Sequence, residues 1–537
     1  MFRLRIGLLT EGGYPYATGE SRLWCDRLVR GLGQHEFDVY ALSRTADQEA
    51  RGWIALPPQV HLVRTAPLWS QDDDGLTYGR RERRRFAGHF KDLAAAICGE
   101  GGNFASGLYG LAELALEYGG LPGALRSEAA IRILESACRT PGANRTVQAA
   151  RVPDHLAFAA LLERALRPLS LGDWYDEDSL GAVDLCHATS GGSAALPGLL
   201  AKRFFGVPLL VTEYGVRLRT HYLDLAADQV PAPVRALITS FHRRLAAEVY
   251  EQAAVITPGN THARRWQEKC GADRAKLRTV YPGMEAGRFA AVGDAEDPGE
   301  TDTLVWVGRI DPSKDLIALL HAFAEVRKEE PGARLRIVGA PAQGPEGAAY
   351  LSHCRALAAQ LFPDEAADQH AVGSNPVSFE GIGGPETPDL SAAYASAAVV
   401  VLSSVVEGFP ISLVEAMFCG RATVSTDVGA VVEVIGGTGL VVPPRNPRAL
   451  ADACLALLKD PERRDRLGAA ARARALELFT VEQNLVAFNG IYLDVISHCP
   501  VRRKGGAQQL FANPAELYVA GPLPSGAHVP TWAGADQ

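Results

Sequence analysis

Two glutamates, Glu407 and Glu415, form the pattern in this sequence best suited to chemistry. The apolar segment Val399–Leu402 is predicted to be a strand, and a helix is predicted to begin near Ile411, which places Glu415 about one turn inside it. The first N–H groups of a helix have no intrahelical partner and form a binding site for phosphate. Two carboxylates beside such a site are suited to holding sugar hydroxyls, one on each side of a diphosphate.

Two cations follow another apolar segment, Leu304–Val307, which is also predicted to be a strand. Arg309 comes directly after Gly308, and Lys314 lies a little further along the same loop. Ligands bind at the carboxyl ends of the strands in open sheets of this kind. Arg309 and Lys314 could therefore neutralise a diphosphate leaving group beside the two glutamates.

The elements that would position these residues form two sets, and each set is typical of a doubly wound sheet. The first opens with a strand at Arg5–Leu9, a loop containing Gly12 and Gly13, a helix at about 21–32 and a strand at Phe37–Leu42. The two glycines either form a tight turn or face a phosphate. Later strands are predicted at 182–187, 208–212 and 254–257.

The second set begins near Thr303 and has a helix with an apolar stripe of period 3.6 from Leu316 to Val326. Further strands are predicted at 335–338, 377–379, 399–402 and 422–425. The fold class is therefore α/β, with two doubly wound, Rossmann-like domains facing each other across a cleft.

The domain boundaries follow from breaks in these patterns. The first domain is predicted to span residues 1–295, with a helical insertion over about 70–180. A linker rich in Asp, Glu, Gly and Pro at 293–302 leads to the second domain, residues 300–478. Thr480 is a predicted N-cap for a last helix within 479–498, which could cross back to the first domain. Residues 500–537 are rich in Gly, Pro, Ala and Ser and are predicted to be a disordered tail.

The composition is that of an ordinary globular protein and excludes several classes. The 537 residues are 47% hydrophobic and 22% charged, and the net charge of -8 disfavours a nucleic-acid binder. Nine cysteines without paired spacing indicate free thiols in a reducing compartment. Because the N-terminal segment lacks the pattern of a signal peptide and the apolar runs are too short to span a bilayer, we expect a soluble cytoplasmic protein.

These motifs together resemble the retaining glycosyltransferases of family 4, which have the GT-B fold. The resemblance covers nearly the whole chain and is carried by the segments 307–315, 377–381, 407–420, 429–434 and 439–443. A closer resemblance is to the PelF type, the cytosolic glycosyltransferase of Pel exopolysaccharide systems. It is carried by the segments 10–16, 35–37, 212–215 and 409–410, and by His187 with the Ser/Gly run after it.

The resemblance implies a role for each matching residue. Arg309 and Lys314 would bind the donor diphosphate and stabilise the departing nucleotide. Glu407 would orient the transferred sugar, and Glu415 would bind the ribose. His187 would reach the sugar from the other side of the cleft, although a histidine after an apolar strand is also compatible with a core or capping role. The remaining implied binding residues are Gly12, Gly13, Phe409, Ile411 and Ser412, with Ile382 near the base.

The implied activity is retaining transfer of a hexose from a nucleotide sugar, UDP-hexose in the leading hypothesis, to a polysaccharide or glycoconjugate acceptor. Protein cations would take the place of a metal, so no metal or other cofactor is expected. A UDP-sugar 2-epimerase on a similar frame is the alternative enzyme.

A catalytically impaired nucleotide-sugar-binding subunit of a membrane-bound polysaccharide synthase is the non-enzymatic alternative. It is motivated by two departures from the family pattern, at Glu20 and at Pro282–Glu285. Such a partner would place the chain at the inner face of the membrane.

Overall fold

A computed structural model of the chain describes residues 3–18, 21–70, 74–99, 101–216, 218, 230–295, 300–363, 375–384 and 387–501. Most of the predicted tail, residues 502–537, lies outside the described residues, and so do Glu20 and residues 296–299 of the predicted linker. None of the helices in the described part of the chain combines the length and the apolar character that crossing a bilayer requires.

The first half of the chain builds a parallel six-stranded sheet in the order β3-β2-β1-β4-β5-β6. Its inner strands are mostly apolar and buried, for example the five central residues of β1, whereas the edge strand β3 stays mostly part-exposed. The strands are β1 (Arg5–Glu11), β2 (Glu36–Ser43), β3 (Val60–Pro67), β4 (Leu185–Ala188), β5 (Leu209–Glu213) and β6 (Val255–Pro258).

Helices cover both faces of this sheet, and a run of them separates β3 from β4. Their apolar sides pack together into the largest buried cluster of the described residues. The helices are α1 (Arg22–Gly31), α2 (Ala46–Ala50), α3 (Arg80–Cys98), α4 (Phe104–Tyr118), α5 (Leu121–Leu125), α6 (Glu128–Cys138), α7 (Arg145–Gln148), α8 (Val152–Leu166), α9 (Leu196–Phe205), α10 (Ala232–Gln252), α11 (Thr261–Lys269) and α12 (Ala290–Gly293).

The second half repeats the architecture, with a parallel sheet in the order β12-β11-β10-β7-β8-β9. Numbered within its own half, each sheet has the order 3-2-1-4-5-6 of a doubly wound dinucleotide-binding fold. The strands are β7 (Thr303–Val307), β8 (Arg334–Val338), β9 (Val377–Glu380), β10 (Val399–Leu402), β11 (Ala422–Thr426) and β12 (Leu440–Val442). The predicted fold class is confirmed.

The helices of the second half alternate with these strands, and the last helix leaves it. The helices are α13 (Leu316–Glu329), α14 (Pro345–Leu361), α15 (Leu390–Ala395), α16 (Ile411–Phe418), α17 (Val431–Ile435), α18 (Pro447–Leu458), α19 (Pro461–Leu478) and α20 (Val481–His498).

Helix α20 crosses back to the first sheet. Thr480 caps it by accepting a hydrogen bond from the Gln483 N–H, as predicted. The crossing is held where Met284 and Thr480 form a β-bridge. Phe488 and Tyr492 of α20 are buried in a core cluster with residues of β1, β2 and α1. The first sheet is therefore covered on one side by the end of the described chain.

Candidate functional site

A cavity of 430 Å³ lies between the two halves, at the carboxyl ends of the strands. The first half contributes loops that follow β1, β4 and β5, represented by Gly12, Thr189 and Tyr214. The segment around Pro282–Phe289, which connects the first half to the second, also lines the cavity, and the second half contributes the start of α16. This is the cleft that two facing sheets create, and it is where ligands bind in open parallel sheets.

Glu415 lies on the floor of this cavity, one turn into α16. The buried Tyr394 hydroxyl donates a hydrogen bond to Glu415 Oε2 at 2.8 Å. Burial raises the pKa of the Glu415 carboxyl, and the nearby Arg288 guanidinium acts in the opposite direction. One carboxylate oxygen is thus fixed by Tyr394, so the carboxylate is held in one orientation for a polar ligand.

Lys314 and Glu407 form an ion pair at the carboxyl ends of the neighbouring strands β7 and β10. The Lys314 Nζ and Glu407 Oε2 atoms are 2.5 Å apart, and the side chains are only 17% and 13% exposed. Ser404 Oγ also donates to Glu407 Oε2, at 3.1 Å, and Ser403 Oγ donates to the Lys314 carbonyl at 2.7 Å. Two predicted site residues 93 positions apart are therefore in direct contact, although neither lines the 430 Å³ cavity.

Of the two predicted cations, Arg309 and Lys314, Arg309 is the more exposed. Its side chain is 71% exposed, and its guanidinium Nε lies 3.0 Å from Asp311 Oδ2. Asp311 Oδ1 also accepts the Ser313 N–H and caps the 3₁₀ turn Pro312–Lys314 that carries Lys314. Asp311 thus stabilises the loop that carries both cations, because it pairs with Arg309 and caps the turn that contains Lys314.

The start of α16 brings two further predicted residues to the cavity. Phe409 and Ile411 line it, and Ile411 is 56% exposed. Ser412, the second residue of the helix, is half-buried and does not line the cavity. Pro410 precedes the helix as its N-cap residue, in agreement with the predicted start near Ile411.

The two glycines after β1 lie in different environments, one at the cavity and one in the interior. Gly12 lines the cavity with a φ of 67°, and a Cβ there would lie 2.8 Å from the Arg44 side chain. Gly13 is buried, and a Cβ there would collide with Ser21 Oγ. Both positions need glycine, and Gly12 lets the backbone approach a ligand closely.

The expectation that His187 reaches a sugar does not agree with the structure. His187 is completely buried, with Nδ1 at 2.7 Å from the Tyr492 hydroxyl and Nε2 at 2.6 Å from Thr212 Oγ1. Burial lowers the pKa of His187 to about 3. The ring lies behind Trp24, which does line the cavity, at a centroid distance of 5.9 Å. Helix α20, which carries Tyr492, covers this end of β4. The structure therefore agrees with the other interpretation of His187, a role in the core.

Ile382 is exposed in the loop after β9 and does not line the cavity. The strand before it ends in a tight network: Glu380 accepts two hydrogen bonds from the Arg336 guanidinium, and also bonds from Ser378 and Thr387. The Arg336 hydrogen bonds lower the pKa of Glu380 to about 2. The base of the loop that carries Ile382 is therefore firmly anchored.

Sequence reasoning missed the polar and aromatic wall that the first half contributes. Arg27 bonds the Gly283 carbonyl and pairs with Glu285 at 3.0 Å, and Arg44 pairs with Glu11 at 3.0 Å. Trp24 is three residues before Arg27, so both lie on one face of α1. This spacing of three residues is the sequence pattern from which Trp24 and Arg27 could have been predicted to face the same side of α1. Tyr214 and Arg288 also line the cavity and were not predicted as site residues.

Family models match both halves of the chain. Residues 4–275 match the family described as "Domain of unknown function (DUF3492)", and residues 301–460 match "Glycosyl transferases group 1". The chain is similar to two bacterial proteins named D-inositol 3-phosphate glycosyltransferase. The Kribbella flavida protein is 32% identical over 51% of this chain and 63% of its own length. The Acidothermus cellulolyticus protein is 30% identical over 67% of this chain and 75% of its own length.

The solved structures that are similar share the fold. Sucrose-phosphate synthase from Thermosynechococcus elongatus has a TM-score of 0.54 at 19% identity, covering 92% of this chain and all of that one. Anabaena HepE, solved in complex with UDP, has a TM-score of 0.53 at 14% identity, covering 91% of this chain and all of that one. The two facing sheets are thus a GT-B fold. With the relatives above, this establishes that the chain belongs to the glycosyl transferases group 1 family, although it spans less than two thirds of the Kribbella relative.

Proposed function

We propose that this protein is a retaining glycosyltransferase that moves a hexose from a nucleotide sugar to a polysaccharide or glycoconjugate acceptor, in the manner of the PelF type of family 4. The observation that carries the proposal is the Lys314–Glu407 ion pair at the carboxyl ends of β7 and β10, together with Glu415 in α16. Glu407 lies in the loop from β10 to α16, so the ion pair and Glu415 lie on either side of the start of that helix, and Glu415 lines the cleft between the two sheets.

Each group has a distinct task in this reaction. Glu407 orients the transferred sugar through its hydroxyls and holds Lys314 in place. The Lys314 ammonium has three N–H donors, of which Glu407 accepts one, so the others can reach the departing diphosphate. Arg309, exposed on the same loop, adds a second positive charge. Stabilising the negative charge on the leaving group lowers the barrier to breaking the glycosidic bond.

Glu415 and the start of α16 would hold the nucleotide. The Glu415 carboxylate, oriented by Tyr394, suits a ribose diol, and the first N–H groups of α16 suit the diphosphate. The acceptor would then attack from the face that the diphosphate leaves, through an oxocarbenium-like state, which retains the anomeric configuration and needs no protein nucleophile.

UDP is the nucleotide that the similar structures favour, because Anabaena HepE was solved with UDP and with UDP and glucose. The D-inositol 3-phosphate glycosyltransferases indicate that a phosphorylated polyol is a further acceptor to test. With two protein cations at the diphosphate, we propose that departure needs no metal ion.

The first experiment measures the thermal midpoint of the purified protein with UDP, GDP, ADP or TDP, each with EDTA. A ligand at about 100 times its Kd stabilises the folded state by about 2.7 kcal/mol. We expect UDP alone to raise the midpoint and the rise to survive EDTA. No rise with any nucleotide would contradict a donor site and would count against both the transferase and the nucleotide-sugar-binding subunit.

The second experiment follows the product of UDP-hexose turnover. We expect an α-linked product from an α-linked donor, formed only when acceptor is present. A C2-inverted sugar formed without acceptor would instead identify a 2-epimerase. Lys314→Ala should strongly lower the rate of transfer while the protein stays folded. Lys328→Ala is the matched control, because the Lys328 side chain is 68% exposed and pairs with Glu325 on its own helix.

A further inference from the structure

A hydrogen bond joins the first half of the chain directly to the second. The Thr261 backbone N–H, at the start of α11, donates to Glu433 Oε2 of α17 at 2.6 Å. Thr261 follows β6 of the first sheet, whereas Glu433 lies between β11 and β12 of the second. The other carboxylate oxygen, Oε1, accepts a hydrogen bond from the Tyr281 hydroxyl at 2.8 Å, in the segment that connects the halves. Both oxygens of one carboxylate therefore hold parts of the chain outside their own half.

The start of α11 is suited to a carboxylate. The first N–H groups of a helix have no partner within it, and they carry a partial positive charge. The Asn260 side chain caps the Ala263 N–H at 2.8 Å, and Glu433 accepts the Thr261 N–H. A residue of the second half thus completes the cap of a helix in the first half, and the bond persists only while the two halves keep this arrangement.

Helix α17, which carries Glu433, is packed on the elements that hold the predicted donor glutamates. Its Val431 is buried in a cluster with Leu402, the last residue of β10, and with Leu413 of α16. The loop that carries Glu407 runs from β10 to α16. The position of α17 is therefore set by the same two elements that set the position of this loop.

The turn before α17 lies directly against the Glu407 loop. The Ala430 N–H donates to the Gly408 carbonyl at 3.1 Å. Gly429 has a φ of 57°, and a Cβ there would collide with the Glu407 carbonyl oxygen, so the two backbones are in close contact. Arg474 of α19 donates to two carbonyls of α17, at 2.8 and 2.9 Å. Helix α17 is thus fixed at both ends, and its position is coupled to that of the Glu407 loop.

We propose that Glu433 is a positioning residue for sugar transfer: its carboxylate holds the first half against the second, so that the loop carrying Glu407 faces the cleft wall of the first half. This inference rests on the proposed transferase function, with the acceptor bound on the wall that the first half contributes. Glu433 does not line the cleft, so it acts through α11 and α17. Because Glu415 and the start of α16 lie in the second half, loss of the bond should lower kcat more than the affinity for nucleotide.

The position of Thr261, the first residue of α11, allows the bond to be removed selectively. Proline is well tolerated at this helix position, because the N–H that it lacks has no partner within the helix. Asn260 before it is extended, as a residue before proline tends to be. Thr261→Pro therefore deletes the donor to Glu433 while α11 persists, which circular dichroism checks. Thr261→Ala keeps the N–H at the same exposed position and is the matched control.

Kinetics of transfer from UDP-hexose give the first readout. We expect Thr261→Pro to lower kcat by about three- to tenfold, up to the size expected from losing one hydrogen bond to a charged group, and to leave the Kd for UDP within about twofold of wild type. Thr261→Ala should match wild type in both. In a Glu433→Ala protein, Thr261→Pro should have no further effect on kcat, because the bond is already absent. Equal kcat in the two Thr261 variants, or an additive loss in the double variant, would overturn the proposal.

Small-angle X-ray scattering gives a readout that needs no activity. The Thr261→Pro protein should have a larger radius of gyration than Thr261→Ala, because its two halves separate more easily, and an equal radius would also overturn the proposal. If Thr261→Pro fails to fold, Glu433→Ala takes its place in the same comparison. If the wild-type protein transfers no sugar, the proposed function fails, and scattering alone then decides whether the Thr261–Glu433 bond holds the halves together.

Discussion

The two sheets share one strand order but use the carboxyl ends of their strands differently. In the second half, Lys314, Glu407 and Glu415, which follow β7 and β10, stay partly exposed, and Glu415 lines the cleft. In the first sheet, His187 and Glu213 at the ends of β4 and β5 are 0% and 1% exposed. The difference shows that an ionisable residue at a strand end can meet a ligand only if no further layer covers it.

The covering layer in the first half is formed by α10 and α20. Tyr492 of α20 bonds His187, and Tyr250 of α10 donates to Glu213. Glu213 also accepts the Gly191 N–H at 2.9 Å and Gln267 Nε2 at 3.1 Å. Because Thr189 and Ser190 just before Gly191 line the cleft, Glu213 shapes the cleft without entering it.

The largest expected effect distinguishes the partly exposed Lys314–Glu407 pair from the fully buried residues of the first half. Lys314→Ala should lower kcat for transfer by about 100-fold or more, because it removes a cation aimed at the leaving group. Transfer kinetics measure the loss, and circular dichroism checks that the fold persists. Wild-type kcat in Lys314→Ala would show that the pair is structural, like its counterparts in the first half.

In the first half, Glu213→Gln should lower the free energy of unfolding and not the rate of transfer. The amide would oppose donors that the buried carboxylate now accepts, which costs about 1–3 kcal/mol of unfolding free energy. Urea unfolding measures it, with Glu462→Gln as control because that side chain is 91% exposed. If Glu213→Gln is as stable as wild type, the buried Glu213 carboxylate has no structural role, and burial does not explain the difference between Glu213 and Glu407.

Acid should destabilise the first half through His187. The folded protein leaves His187 neutral down to about pH 3, whereas the unfolded chain takes up a proton near pH 6.5. The unfolded state therefore binds more protons between these values, and stability falls as pH falls through this window. The loss from pH 6 to pH 4.5 is about 2 kcal/mol for one proton.

Unfolding free energies across this pH range measure the slope. His187→Gln should have a shallower slope than wild type. His498→Gln, on the same helix as Tyr492 but with a side chain 75% exposed, should match wild type. Equal slopes in all three proteins would argue against a neutral buried His187.

The smallest expected effect concerns the bond between the two walls of the cleft. Glu285 is 50% exposed and pairs with Arg27 at 3.0 Å. Glu285→Gln should therefore change the unfolding free energy by less than about 1 kcal/mol, since exposed pairs contribute little. Thermal melts at low and high salt measure it. A larger loss would mean that the linker after β6 depends on this pair.

The sequence predicted ten of the twelve described strands, including the edge strands β6 and β9, and missed the other two edge strands, β3 and β12. All four residues of β10 are buried, and its apolar run was recognised. Strand β3 pairs only with β2 and is mostly part-exposed, and β12 has three residues with one fully buried. An edge strand with one open side needs no continuous apolar run, so its pattern is weak.

Site residues could be predicted from the sequence where their position depends only on the strand that they follow. The loop residues Lys314 and Glu407 follow apolar strands, and their contact depends only on those strands being neighbours. The burial of His187 depends on a helix 305 residues away, and the Arg27–Glu285 pair spans 258 residues. No local pattern reports which distant segment will cover a residue.

The return of α20 to the first sheet has a consequence for how the protein is made. Phe488, Tyr492 and Val495 complete a core whose other members include Ile6, Leu8 and Phe37. A ribosome synthesises those early residues long before the helix that covers them. The first half therefore waits with an open apolar face until the second half has been translated, and it reaches its final packing last.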